Sequence, residues 1–253
     1  MNGILNVYKE PGFTSHDVVA KLRGICKQKK IGHTGTLDPE ASGVLPVCLG
    51  NATKLCDLLT DKDKEYRAVL LLGVETDTQD TTGQILAEKE VNAGEEDVRS
   101  AILSFVGPYD QIPPMYSALK VNGQKLCDLA RKGRQVERQP RPVTIHELTL
   151  LSREGDTLHL RVRCSKGTYI RTLLEDIAAA MGQKGTMSAL RRTAAGLYTE
   201  ADAHTLEEIL AAKEQGSAAL EALMLPVESV FTPLPLLMVE PWVEQHLYNG
   251  CPT

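Results

Sequence analysis

The chain has 253 residues, 42% of them apolar, with no long apolar run; this predicts a soluble globular protein with one large core and no transmembrane helix. Its first nine residues lack a signal-peptide pattern, and its six cysteines (26, 48, 56, 127, 164, 251) show no C-x-x-C and no neighbouring histidine pair, so reduced thiols, a cytoplasmic location and no metal are expected. The net charge of −5 hides a strong asymmetry: residues 120–192 hold 15 basic and 7 acidic groups, while 193–253 hold 1 and 9, and local field rather than total charge decides where a polyanion docks.

Residues 3–8 alternate and are rich in β-formers (Ile4, Leu5, Val7, Tyr8), which predicts a strand entering the core. Residues 9–15 read as a turn, with Thr14 or Ser15 capping a helix whose apolar stripe is Val18, Val19, Leu22 and Ile25. Residues 31–45 follow, Ile-Gly-His-Thr-Gly-Thr-Leu-Asp-Pro-Glu-Ala-Ser-Gly-Val-Leu. Gly32 and Gly35 allow a shaped loop, and Pro39 biases Asp38 toward extended backbone. A carboxylate held there suits a nucleophile, a general base or a metal ligand; an Asx-turn or helix cap is the structural alternative.

Residues 44–49 read as a buried strand, Asn51 as the cap of a short helix through Leu59, and 66–72 as a central strand opened by Tyr66. The stretch 72–83 reads as a turn-rich structural connector whose acids would repel phosphate. Residues 95–105 predict an amphipathic helix on Val98, Ile102 and Phe105. Pro113-Pro114 and the Asn122-Gly123 turn then introduce a basic run of Lys125, Arg131, Lys132, Arg134, Arg138 and Arg141. Residues 143–151 and 157–164 form a predicted hairpin turning at Glu154-Gly155-Asp156, and 165–173 open a helix toward Met181. Beyond 200 the chain becomes acidic, with helices expected at 205–213 and 240–248, the last ending at Asn249-Gly250.

The run Gly-His-Thr-Gly-Thr-Leu-Asp-Pro at 32–39, resumed by Ala-Ser-Gly-Val-Leu at 41–45, closely resembles the signature of the TruB family, the bacterial tRNA pseudouridine-55 synthases. Three further blocks agree: Lys-x-Pro-Gly-x-Thr-Ser at 9–15, Ser-Lys-Gly-Thr-Tyr-Ile-Arg-Thr-Leu at 165–173, and Ser-Ala-Leu-Arg-Arg-Thr at 188–193. The resemblance implies that Asp38 is the catalytic aspartate, Tyr66 the active-site tyrosine, and Arg171 the partner of Asp38. It implies an RNA contact at His33, packing of Tyr169 against the catalytic centre, closure of the base pocket by Leu190, and a phosphate contact by Arg191 or Arg192. Lys9, with Pro11, is assigned to packing around the loop and grouped with the substrate-binding residues. The basic run, including Arg131, Lys132 and Arg134, falls at the family's thumb-like insertion, about 118–145; Cys127 stands where relatives commonly carry an aromatic.

The implied fold is α+β, the pseudouridine synthase fold: a mixed, mostly antiparallel central sheet flanked by helices. One catalytic domain would span 1–253, with an acidic helical region at about 200–253 and the usual C-terminal PUA-like domain absent or truncated. The implied reaction isomerises uridine 55 in the T-arm loop of tRNA after base flipping, in a monomer with no obligate protein partner. Nothing is oxidised, so no cofactor is implied, in keeping with a sequence that shows no Walker loop and no dinucleotide fingerprint. Three rival readings fit the sequence less well. An RNA chaperone would not need Asp38, Tyr66 and Arg171 together; a phosphotransferase would want a metal-binding acid cluster; a guide-RNA synthase would want partner-binding extensions.

Overall fold

The alternating start forms β1 (Gly3–Lys9), and Thr14 caps α1 (Ser15–Cys26) in a reciprocal pair with Asp17. Loss of such a cap costs about 1 kcal/mol. In this computed structural model, which describes residues 1–232, 234–235 and 238–249, α1 buries Val18, Val19 and Leu22, and Cys26 rather than Ile25 completes the stripe. Next come β2 (Ile31–His33), β3 (Ser42–Leu49), a 3-10 turn at Gly50–Leu55 and α2 (Cys56–Thr60). Asn51 does not cap this segment. Its own N–H donates to Asn2 Oδ1 at 2.8 Å, because β1 runs beside β3 and brings residue 2 over the turn.

β4 (Lys64–Leu72) buries every second residue, starting with Lys64 and Tyr66. The connector expected over 72–83 holds β5 (Val74–Thr76), which pairs with β6 (Ile85–Glu88). After α3 (Glu95–Ser104) and β7 (Gly107–Gln111), β8 (Lys120–Val121) and β9 (Gln124–Lys125) make a small hairpin. Its Asn122-Gly123 turn has φ of 50° and 80°, the two positive values that a tight two-residue turn demands. The basic run continues through α4 (Leu126–Arg131). β10 (Arg141–Glu154) and β11 (Thr157–Cys164) form the expected hairpin, followed by α5 (Ile170–Ala180), β12 (Gly185–Ala195) and β13 (Tyr198–Thr199). α6 (Leu206–Gln215), α7 (Ser217–Ala222) and α8 (Pro241–Tyr248) complete the acidic end; Gly250 and Cys251 lie outside the described residues.

The main sheet runs β1-β3-β12-β4-β11-β10-β7, with β2 beside β3 and β13 beside β12. β12 meets β3 in parallel; every other pairing among the described strands is antiparallel, so the sheet is mixed and mostly antiparallel as expected. α3 and α5 pack on the Tyr66 face of β4, burying Leu173, Leu174 and Ile177 against Leu70, Leu158 and Leu160. α1 and α6 cover β1 and β3. Each such leucine or isoleucine contributes about 1.5–3 kcal/mol when fully buried.

The parallel junction matters most for the site. It sets Arg191 beside Ser42 and Arg192 beside Gly43, while the other edge of β12 sets Arg192 opposite Tyr66. Gly43 has φ 104°, and a Cβ there would overlap the Arg192 backbone, so only glycine lets the strands approach this closely. The loop carrying Asp38 feeds directly into β3 at this junction.

Candidate active site

Asp38 lies in the loop between β2 and β3, and that loop is anchored on several sides. Leu37 donates its N–H to Ser15 Oγ at 2.9 Å, and the Ser15 hydroxyl donates back to the Leu37 carbonyl at 3.3 Å. Gly12 N–H donates to the Pro39 carbonyl at 2.9 Å. The Lys9 ammonium donates to the carbonyls of Glu10, Pro39 and Ala41 at 3.0, 2.9 and 2.6 Å. Lys9 is fully buried and has no free donor, so its grouping with the substrate-binding residues is corrected: it holds the loop, as its sequence block suggested. Burial pulls its pKa down to about 8, against the opposing pull of Glu40 and Asp38.

Arg171, near the start of α5, grips the Asp38 carboxylate with two donors. Its Nε lies 3.0 Å from Oδ2 and its Nη2 3.3 Å from Oδ1, a fork geometry that lysine cannot reproduce. The remaining donors reach the Thr78 and Tyr116 carbonyls at 2.9 Å each, and Asp80 Oδ2 lies 3.9 Å from Nη1. Three chain segments therefore converge on one guanidinium. Arg171 is 7% exposed at its side chain and Asp38 36%, so the aspartate forms the open side of the pair. Asp80 and the Thr78 carbonyl were not anticipated as site features: the connector's acids read as repelling phosphate, yet one of them faces a buried cation.

Tyr66 and Leu190 lie in the same buried cluster as Leu37 and Ile170, directly behind the Asp38 loop. Burial raises the pKa of Tyr66, and the nearby Arg192 charge opposes that rise. Tyr169 precedes α5, and the buried Gln111 side chain holds its backbone from both sides, accepting from its N–H at 2.7 Å and donating to its carbonyl at 2.9 Å. Gln111 gave no signal in the sequence; it becomes visible only when β7 pairs with β10. His33 ends β2, with Nδ1 accepting from Gly35 N–H at 3.3 Å; burial first, then the Arg192 charge and His16, lower its pKa and favour neutral imidazole.

The adjacent arginines separate. Successive strand residues face opposite sides, so Arg192 shares a face with Tyr66 while Arg191 shares one with Arg67. Arg192 is 1% exposed and cannot meet a phosphate, which corrects that alternative. Arg191, partly exposed and 3.4 Å from Glu200, lines an open cleft of about 620 Å³ with Arg67, Glu40, Ser42, Thr81 and Leu190. The structure thus brings Asp38, Arg171, Tyr66 and Leu190 together and leaves Arg191 on the other face. Arg131, Lys132 and Arg134 are solvent-exposed on and just after α4, Arg131 being 3.4 Å from Asp128. Among the described residues no cluster of three or more His, Cys, Asp or Glu could hold a metal ion.

Comparison with known proteins gives the family. Residues 23–170 match the TruB family pseudouridylate synthase N-terminal domain, and 171–232 match the tRNA pseudouridylate synthase B C-terminal domain. The tRNA pseudouridine synthase B of Lachnoclostridium phytofermentans is 54% identical over 99% of this chain and 83% of its own length. That of Alkaliphilus oremlandii is 46% identical over 99% and 82%. A solved Cbf5-Nop10-Gar1 complex contains a chain that is 31% identical with a TM-score of 0.73; the match covers 90% of this chain and 61% of that one. By sequence and by fold, the chain belongs to the TruB family of pseudouridylate synthases.

Proposed function

We propose that this chain isomerises uridine to pseudouridine at position 55, in the T-arm loop of tRNA. One observation carries the reading: a partly exposed aspartate held in a two-point grip by a buried arginine, on a loop backed by Tyr66 and Leu190. A phosphotransferase has no use for an acid aimed past an apolar pocket. A purely binding protein has no use for a carboxylate fixed this rigidly.

The substrate base leaves its stack to reach the pocket, at a cost of about a few kcal/mol. His33 fills space near the loop, and Tyr66, Tyr169 and Leu190 supply the apolar walls that an extruded pyrimidine stacks against. Asp38, oriented by the Arg171 fork, acts on the flipped nucleotide as the N1–C1′ bond breaks. The uracil turns, C5 joins C1′, C5 loses its proton and N1 gains one. Atoms and electrons balance within the nucleotide, so the reaction needs no redox cofactor. Tyr66 is the nearby group suited to the proton moved last.

The thumb-like insertion at about 118–145 presents Arg131, Lys132 and Arg134 to the phosphates of the T-arm stem. Arg191 and Arg67, in the open cleft, offer a second basic surface on the opposite face of β12. No helix among the described residues is long and apolar enough to cross a membrane. A tRNA substrate makes the cytoplasm the site of action.

Unmodified tRNA transcript, incubated with the protein and mapped by carbodiimide-stop primer extension, tests this. A stop at position 55 that vanishes when the uridine is replaced by cytidine is expected. Full-length extension throughout, or stops elsewhere only, would remove the assignment.

A further inference from the structure

Arg192 is among the largest fully buried side chains in the protein, yet among the described residues no carboxylate lies within ion-pair distance of it. A buried charge left without a counterion is costly unless hydrogen bonds satisfy it. Here the partners are backbone carbonyls. Nε donates to Val44 at 2.7 Å, Nη2 to Gly35 at 3.2 Å, and Nη1 points toward Thr36 at 3.5 Å. All three belong to the stretch around Asp38. Its charge also acts on Tyr66, which stands opposite residue 192 across β12 and β4.

The position follows from register. β12 is wedged between β3 and β4, so residue 192 touches Gly43 on one side and Tyr66 on the other. Gly35 completes the seat: a Cβ there would lie 3.6 Å from Arg192 Nη1. A single side chain therefore fixes the backbone on both flanks of Asp38 and stands opposite the tyrosine behind it.

We propose that Arg192 is a positioning residue for the isomerisation, acting through the Asp38 loop and through Tyr66; this rests on the function proposed above. The fixed charge of Arg192, opposite Tyr66 across β12 and β4, supports negative charge on the phenol oxygen during proton transfer. Arg171 aims the carboxylate from the front, and Arg192 sets the backbone from behind.

The test compares wild type, Arg192→Lys, Arg192→Gln, Tyr66→Phe and the Arg192→Lys/Tyr66→Phe double variant, using single-turnover conversion, tRNA affinity and thermal melting. Both Arg192 variants should melt cooperatively and bind tRNA within about twofold of wild type, while the single-turnover rate falls by about 10²-fold, the cost of a slightly misplaced catalytic group. Lysine, which keeps the charge but not the fork, should lose less than glutamine. The double variant should lose less than the product of its two single losses, because both changes disturb one unit.

Wild-type rates in folded Arg192 variants would overturn the proposal. So would strictly multiplicative losses in the double variant. Loss of the cooperative melt in both Arg192 variants would make the residue structural, and would also overturn it. A wild type that makes no pseudouridine would instead sink the functional reading and this proposal with it, an outcome told apart from the others by the wild-type lane alone.

Discussion

The loop around Asp38 and the insertion around α4 are both rich in polar groups, but they are built in opposite ways. In the loop, nearly every polar atom that matters is tied to a distant part of the chain: Ser15 to Leu37, Lys9 to Pro39 and Ala41, Arg192 to Gly35, Arg171 to Asp38. In the insertion Arg131, Lys132 and Arg134 stand in solvent, and the described backbone bonds of α4 and its flanks reach only to nearby residues such as Leu119 and Ser117. Its apolar anchors are Leu126 and Leu129. Chemistry needs a group placed to within a fraction of an ångström, which buried cations and carbonyls supply. Phosphate attraction works over the screening length, so exposed and adjustable side chains suffice.

If the comparison is right, Asp38→Asn should cut the single-turnover rate by at least about 10³-fold, with tRNA affinity close to wild type because phosphate contacts supply most of it. A rate within tenfold of wild type would remove Asp38 from the chemistry. Arg171→Lys comes next. It keeps the charge but loses the fork, and about a 10²-fold fall in rate without a matching fall in affinity is expected. A loss seen mainly in affinity would turn Arg171 into an RNA contact and break the division of labour.

The insertion sharpens the contrast from the other side. Neutralising Arg131, Lys132 and Arg134 together should weaken binding and flatten the log-log salt slope by about 0.7–0.9 per lost phosphate contact, with the rate at saturating protein preserved. An unchanged slope would mean that these side chains face away from RNA.

The smallest effect concerns Lys64, another buried cation held by carbonyls, those of Thr60 and Lys62. Burial lowers its pKa from 10.5 to about 8. Between those values the unfolded chain holds more protons than the folded one, so this group makes stability rise with pH. Urea midpoints at pH 8 and 9.5 should show wild type gaining about 1 kcal/mol relative to Lys64→Met over that interval. Parallel pH curves for the two proteins would mean that Lys64 keeps its proton throughout.

Asp38, Tyr66 and Arg171 were legible because each sits in a block whose residue types and order are specific. The supporting groups were not, for identifiable reasons. Lys9 reads as a packing residue near the loop, but that its ammonium is spent on three carbonyls emerges only when β1 is laid beside β3. Arg191 and Arg192 are neighbours whose fates differ only by strand alternation, and β12 carries irregularities at Met187/Ala189 and Arg192/Ala194 that spoil a count from the sequence. Asn51 looked like a cap, but the side chain at the turn came from Asn2, 49 residues earlier. The sheet's mixed character hung on the short junction of β12 with β3, which no local pattern announces.

That junction also bears on how the protein is born. The bond from Arg192 to Val44 closes across 148 residues of chain, and the one from Arg171 to Asp38 across 133. Translation at about 5–20 residues per second leaves the aspartate loop outside the ribosome for about 7–30 s before its last clamp emerges. β1, β2 and β3 can pair early, since they are close in sequence, but the seat beside β3 stays empty until β12 arrives. A nascent chain therefore carries the catalytic sequence well before it carries a catalyst.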